Sequence, residues 1–168
     1  MALEQRTIDR LESLLKRRFP DWTDFNTPGF VKDETQYKRK ASATAIQVLA
    51  ASEFRSLLDQ GQVDVIEERL EAAARQINLL YQSVPSSGDL RILYHPGLDR
   101  PAFYEALYRL LWGSGASPQR LQNYIDFVKA RGLPNYWTFP TYYLFLCHPD
   151  TELFVKPGVT KDFLAARG

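Results

Sequence analysis

Apolar side chains recur at helical spacing through the first two thirds of the chain. A first helix over residues 3–18 is predicted by the i, i+3, i+4, i+7 pattern of Ile8, Leu11, Leu14, Leu15 and Phe19. A second helix is predicted from Val31 or Asp33 to Ala50, and residues 63–81, rich in Ala, Glu, Arg and Leu, predict a fourth. This part of the chain is therefore expected to be helical.

Capping residues set the bounds of the other predicted helices. Ser52 is a suitable N-cap for a third helix over residues 53–60, which Gly61 can close. Asp99 opens a fifth helix that is expected to end at Trp112. Ser117 followed by Pro118 starts a sixth helix, which runs to residue 131 and stops at the following glycine.

The last third of the chain changes character. Residues 141–147 are aromatic and predict a strand, residues 148–151 a turn, and residues 153–155 a strand that pairs back. A short strand is also predicted at residues 90–94, and a final helix start at Thr160. The expected fold is mainly α: a multi-helix domain with a small antiparallel β-hairpin near the C-terminus.

The composition is that of one globular domain. The chain has 168 residues, of which 45% are hydrophobic and 24% charged. The single cysteine, Cys147, excludes an internal disulfide and a zinc site built on several thiolates. The N-terminus lacks a secretory pattern, and the longest apolar run, residues 142–147, is too short to cross a bilayer. We therefore expect a cytoplasmic protein with no membrane partner.

Charge is unevenly distributed along the chain. The net charge is +1, and it divides into +2 over residues 1–40, −4 over residues 41–90 and +3 over residues 91–168. The acidic middle and the mildly basic ends allow one basic face without requiring it.

The sequence contains no motif that matches a known type of catalytic site well. The loop at Gly113 and Gly115 lacks the lysine of a phosphate-binding loop, and His95 and His148 each lie beside a proline in a predicted turn. Asp150, Glu152 and Lys156 resemble a nuclease core, but their spacing places both acids in or near one turn, so we reject that interpretation. We expect no catalytic residue, no metal and no cofactor in this chain.

Binding chemistry has more candidates. Aromatic rings interleaved with cations can stack on bases while contacting phosphates. Residues of both kinds are candidates for binding nucleic acid, namely Lys38, Arg39, Lys40, Lys129, Arg131, Tyr136, Trp137, Tyr143, Lys156 and Lys161. The alternative is that most of these rings form the core. We expect Phe139, Tyr142, Leu144 and Phe154 to be core, and we keep Tyr136 and Trp137 as functional candidates.

Several short segments, in order along the chain, resemble the sequence of a known protein family. They are residues 30–34 with 37–39, residues 78–80, residues 88–90, and residues 137–142 leading into 148–150 and 154–157. Together, from about Trp22 to Lys161, they resemble the N-terminal region that precedes the motor of McrB-like AAA+ ATPases in bacterial modification-dependent restriction and defence.

The resemblance implies a function and partners. Such a domain would be the target-recognition module, binding DNA that includes modified bases, with the motor and nuclease in other parts of the system. Residues 1–168 would then be a single N-terminal domain and a fragment of a longer AAA+ protein. The alternative is a protein-interaction domain that docks a partner or trigger and binds no nucleic acid.

Overall fold

The computed structural model describes residues 4–81 and 87–166. The chain divides into two compact units. Residues 1–40 and 157–168 belong to the first unit, and residues 41–156 to the second. The third helix, α3 (Gln36–Val48), begins in the first unit and ends in the second.

The first unit contains helices with exposed apolar side chains. Its elements are α1 (Gln5–Arg18), α2 (Pro28–Phe30), a π-helical turn (Val31–Thr35), the start of α3, and α9 (Pro157–Ala166). Four rings pack edge to face between α1 and the π-helical turn, with centroids 5.3–5.7 Å apart, namely Phe19, Trp22, Phe25 and Phe30. Phe19 and Trp22 are buried, whereas Phe25 is 65% exposed.

The second unit contains the main core. Its elements after α3 are α4 (Ala51–Asp59), α5 (Val63–Arg75), α6 (Arg100–Trp112), α7 (Ser117–Ala130) and α8 (Thr138–Cys147). Helix α6 packs against α4, α5, α7 and α8, and its inner face is fully buried.

The start of α6 follows from its sequence. The Asp99 carboxylate accepts a hydrogen bond from the Ala102 amide at 3.2 Å, so the predicted N-cap is confirmed. Helix α7 was also predicted to within one residue, although Ala116 rather than Ser117 is its N-cap. Gly132, at φ 62°, ends α7 in the left-handed conformation that glycine adopts at little cost.

Helix α8 lies at the centre of the second unit. Only Phe145 among its ten residues is not buried. The Tyr142 and Tyr143 hydroxyls donate to the carbonyls of Ala73 and Leu70, at 3.2 and 2.8 Å. Tyrosines are therefore tolerated in a helix that is buried on nearly every side, because their hydroxyl groups form hydrogen bonds with backbone carbonyls.

The predicted β-hairpin is wrong. Residues 141–147 belong to α8, residues 153–155 form no strand, and no strand occurs anywhere in residues 4–81 and 87–166. Aromatic residues favour strands, but a helix that is apolar all round lacks the amphipathic stripe that reveals a helix. Pro140 is compatible with α8 because it lies in the first turn, where backbone amides have no intrahelical acceptor.

Other predicted elements need smaller corrections. Residues 90–94 form turns rather than a strand, and α5 ends at Arg75 rather than at residue 81. The second predicted helix begins earlier, at Pro28, because α2 runs directly into the π-helical turn. Ala50 rather than Ser52 precedes α4, and α9 begins at Pro157 rather than Thr160. Within the residues that the structure describes, no helix has the length and apolar character needed to span a membrane.

Candidate functional site

Two grooves lie on different faces of α7, on either side of its buried stripe of Tyr124, Ile125 and Val128. The first, which we call the arginine groove, lies between α6 and α7 and has a volume of about 720 Å³. Its lining residues are Ala102, Glu105, Ala106, Arg109, Gly113, Ser114, Arg120, Asn123, Tyr124, Phe127 and Arg131.

The arginine groove is cationic. Three of its described lining residues are arginines and one is a glutamate, Glu105. The Glu105 carboxylate accepts hydrogen bonds from Arg55 at 2.6 Å and from Arg109 at 2.9 Å. These contacts, led by the Arg55 hydrogen bond, lower the pKa of Glu105, so it stays ionised and paired at neutral pH. A second anion therefore meets a surplus of guanidinium groups here.

Arg131 lies at the C-terminal end of this groove. Its guanidinium carbon is 3.8 Å from the centre of the Phe127 ring. Stacking of this kind uses the flat face of a guanidinium group and leaves its in-plane N–H donors available. No carboxylate among the described residues forms an ion pair with Arg131, so those donors can bind an external anion.

Arg120 has a structural role in the same groove. One terminal nitrogen donates to the carbonyls of Leu110 and Leu111 at 2.7 and 2.9 Å, and the other donates to the Ser117 hydroxyl at 2.9 Å. Those carbonyls lie in the last turn of α6, where helix carbonyls lack intrahelical partners. Arg120 therefore ties α7 to the end of α6.

Tyr124 contributes a buried hydroxyl that has no hydrogen-bond partner in the described part of the chain. Burial raises the pKa of Tyr124 above its ordinary value, and among the described residues no group accepts or donates a hydrogen bond at this oxygen. A buried hydroxyl of this kind costs about 1–3 kcal/mol of desolvation.

The second groove, which we call the tryptophan groove, is largely apolar. It has a volume of about 670 Å³ and is lined by Ser117, Pro118, Leu121, Gln122, Ile125, Trp137, Leu144, Thr151 and Glu152. Its one charged residue, counting those that the structure describes, is Glu152. The two grooves of α7 therefore differ in charge and in apolar character.

Trp137 is the large exposed ring of this groove, with 51% of its surface accessible. It is the N-cap residue of α8, and its carbonyl accepts a hydrogen bond from the Thr141 hydroxyl at 2.5 Å. The next residue, Thr138, donates to the Asp89 carboxylate at 2.9 Å. These bonds fix the backbone at Trp137 and immediately after it.

Tyr136 and Lys129 are exposed, and neither is among the described lining residues of these two grooves. The Arg91 guanidinium carbon lies 3.9 Å from the centre of the Tyr136 ring, which is 43% exposed. Lys129 extends from the last turn of α7 into solvent. These two residues stay candidates for contact with a partner.

Tyr143 and Lys156 are placed differently. Tyr143 is fully buried, so it cannot offer a ring to a ligand at the surface. It belongs to the core with Phe139, Tyr142 and Leu144, whose predicted burial is confirmed; Phe154 is partly buried and packs on that core. The Lys156 amine donates to the Leu79 carbonyl at 3.3 Å and is exposed.

The remaining cationic candidates belong to the first unit. Lys38 forms an ion pair with Glu34 at 3.2 Å and lies 5.2 Å from the centre of the Tyr37 ring. Arg39, Lys40 and Lys161 are exposed. A local ion pair therefore occupies at least one of the predicted phosphate contacts.

Cys147, His148 and His95, the residues considered for catalysis, make contacts that are typical of structural residues. Burial raises the pKa of the Cys147 thiol to about 12, so it is protonated and unreactive at neutral pH. A His148 ring nitrogen lies 2.7 Å from the Leu111 carbonyl, and a His95 nitrogen accepts from the Gly97 amide at 3.2 Å. Within residues 4–81 and 87–166, no three His, Cys, Asp or Glu side chains group to hold a metal ion.

Sequence reasoning missed Arg109 and Arg120. Their roles depend on the packing of α6 against α7, which no local pattern specifies. One signal was present: Arg120, Phe127 and Arg131 share a single stripe of a helix at i, i+7 and i+11.

Comparisons of the chain with protein-family models, with curated proteins and with solved structures found no match.

Proposed function

We propose that this chain binds DNA and that the phosphate backbone lies in the arginine groove. The observation that carries the proposal is the charge of that groove, because its one described acid, Glu105, is already held by two arginines. Guanidinium groups match phosphate geometry and form charge-assisted hydrogen bonds with it. Neutralising phosphates supplies most of the sequence-independent affinity of such proteins.

Arg109 and Arg131 are the residues assigned to phosphate. Both are exposed. Arg109 donates to Glu105 through Nε, which leaves its terminal nitrogens without a hydrogen bond among the described residues, and Arg131 stacks on Phe127. Arg120 has its terminal nitrogens engaged with α6 and Ser117, so it positions the groove rather than binding DNA directly.

The α7–α8 loop supports the proposal with a second stacked pair. The Tyr136 ring lies against Arg91. Tyr136 is five residues after Arg131, so the Cα atoms of Arg131 and Tyr136 are at most about 18 Å apart. Duplex DNA carries one charge per about 1.7 Å of its axis, so phosphates are spaced closely enough for each stacked arginine to reach one. Tyr136, with its exposed ring, is assigned to contact sugar or base edges.

The biological role follows from the resemblance described above. We assign the chain to target recognition in an McrB-like restriction or anti-phage defence ATPase, with modified bases as the candidate target. The chain would act in the cytoplasm beside the motor and nuclease parts of that system. No catalytic step, metal or cofactor is assigned to these residues.

The test is a set of titrations at about 50 and about 200 mM salt. Methylated duplex, unmethylated duplex and single-stranded oligonucleotides are compared by fluorescence anisotropy. Two phosphate contacts predict an affinity loss of about tenfold between the two salt concentrations. Absence of salt-dependent binding to all three would exclude the DNA proposal.

A second function, protein interaction without nucleic-acid binding, is favoured by the tryptophan groove. Its exposed ring and its carboxylate suit a protein partner better than a phosphate. Failure of every oligonucleotide to bind at low salt would leave this as the preferred function.

A further inference from the structure

The tryptophan groove is a second binding site with its own chemistry. Its floor is apolar and includes Leu121 and Ile125 of α7 and Leu144 of α8. A volume of about 670 Å³ lies within the range of about 300–1,000 Å³ that ligand pockets occupy. The groove can therefore take one or two apolar side chains.

Trp137 is the anchor that the groove offers to a partner. A half-exposed tryptophan beside an apolar floor is the type of residue that dominates binding energy at protein interfaces. Its carbonyl accepts a hydrogen bond from Thr141, and the next residue, Thr138, donates to Asp89, so the backbone at and after Trp137 is held. Binding would therefore order little of the chain, which keeps the entropic cost of association low.

Glu152 supplies the charge that defines the partner. One carboxylate oxygen accepts a hydrogen bond from the Ser117 hydroxyl, which fixes the carboxylate at the groove. No lysine or arginine among the described residues forms an ion pair with Glu152, and its second oxygen accepts no hydrogen bond from them. A cation supplied from outside would complete this site, whereas a phosphate would be repelled.

We propose that the tryptophan groove docks a peptide segment of a partner protein in which an apolar side chain is adjacent to a lysine or arginine. The apolar side chain packs on Trp137 and the floor of the groove, and the cation pairs with Glu152. The peptide does not compete with DNA for space, because the arginine groove lies on the other side of the buried stripe of α7; Ser117, which bonds to both Arg120 and Glu152, connects the two grooves.

The experiment is selection from a library of short random peptides displayed on phage, followed by titration of the enriched peptides. The expected motif is an apolar residue next to lysine or arginine. Trp137→Ala should weaken these peptides by at least about tenfold, as expected when an interface anchor is truncated. Glu152→Gln keeps the acceptor for Ser117 and should weaken only peptides that carry the cation, by about three- to tenfold.

Leu153→Ala is the matched control. Leu153 is next to Glu152 and 83% exposed, and it is not among the lining residues of the groove. It should leave peptide affinity unchanged, and each variant should melt cooperatively near the wild-type temperature. The proposal is overturned if no peptide is enriched, if the enriched motif is acidic, or if Trp137→Ala and Leu153→Ala have the same effect. It is also overturned if Trp137→Ala weakens oligonucleotide binding while peptide affinity is unaffected.

Discussion

The two grooves of α7 use one helix for opposite chemistries. On one face, Arg120, Phe127 and Arg131 form a stripe that is cationic and partly stacked. On the other, Leu121 and Ile125 form an apolar floor beside Trp137. Between them lies the buried stripe that attaches α7 to the core. A helix with one buried stripe and two lined grooves can hold two different partners without moving.

Two arginines of the same groove have different roles. Arg120 and Arg131 line the same groove, yet Arg120 bonds to the carbonyls that end α6 while Arg131 stacks on Phe127 and faces solvent. Charge alone does not define a binding residue. The partners that a side chain already has decide whether it can bind anything else.

The largest predicted effect is loss of DNA binding on reversing the charges of Arg109 and Arg131, the two exposed arginines of the arginine groove. Because charge-assisted hydrogen bonds contribute about 1.5–3 kcal/mol each, Arg109→Glu with Arg131→Glu should weaken DNA binding by at least about 100-fold at low salt. Anisotropy with a labelled duplex measures the loss. Lys129→Glu, on the same helix but outside both grooves, should cost about threefold. Equal losses for the double variant and this control would contradict the assignment.

The next effect is on stability rather than binding. Arg120→Ala should lower the free energy of unfolding by about 2 kcal/mol, because the Leu110 carbonyl and the Ser117 hydroxyl lose their donor and the Leu111 carbonyl keeps only its contact with His148. Urea denaturation gives the value. Gln122→Ala, an exposed change two residues away, should stay within about 0.5 kcal/mol of wild type. A similarly small change for Arg120→Ala would show that it does not hold α6 and α7 together.

A smaller effect distinguishes two buried tyrosines. Tyr124→Phe removes a hydroxyl without a described partner and should leave stability unchanged or raise it by up to about 1 kcal/mol. Tyr143→Phe removes a hydroxyl that donates to Leu70 and should lower stability by about 1 kcal/mol. Thermal and urea unfolding of both variants measure the difference. A clear destabilisation by Tyr124→Phe would mean that its hydroxyl has a bound partner.

The smallest predicted effect is the change in stability on removing the exposed Trp137 ring. Trp137→Ala should change the free energy of unfolding by less than about 1 kcal/mol, because half of the ring is already in contact with water. Urea unfolding monitored by circular dichroism checks this. A loss of several kcal/mol would show that the ring is a packing residue and not a docking surface.

Parts of this arrangement could be predicted from sequence. Asp99 and Gly132 lie at the ends of α6 and α7, so local chemistry was sufficient for both helices. The exposure of Tyr136 and Trp137 also follows from their position in the loop after Pro134. These are features that short-range hydrogen bonds and backbone preferences determine.

The rest depends on tertiary packing. Helix α8 has the aromatic composition of a strand and becomes a helix because it is surrounded, with Tyr142 and Tyr143 bonded to α5. Tyr143 is not a binding residue as predicted, because the packing around α8 buries it. The arginine groove exists only where α6 meets α7, so Arg109 could not be assigned from local pattern.

The most direct test of the account is the dependence of DNA affinity on salt for three proteins: wild type, Arg131→Gln and Trp137→Ala. If the cationic face of α7 binds phosphate, Arg131→Gln should reduce the slope of log affinity against log salt by about 1. Trp137→Ala should leave that slope unchanged. Equal slopes for wild type and Arg131→Gln, or a reduced slope for Trp137→Ala alone, would contradict the division of α7 into a DNA face and a peptide face.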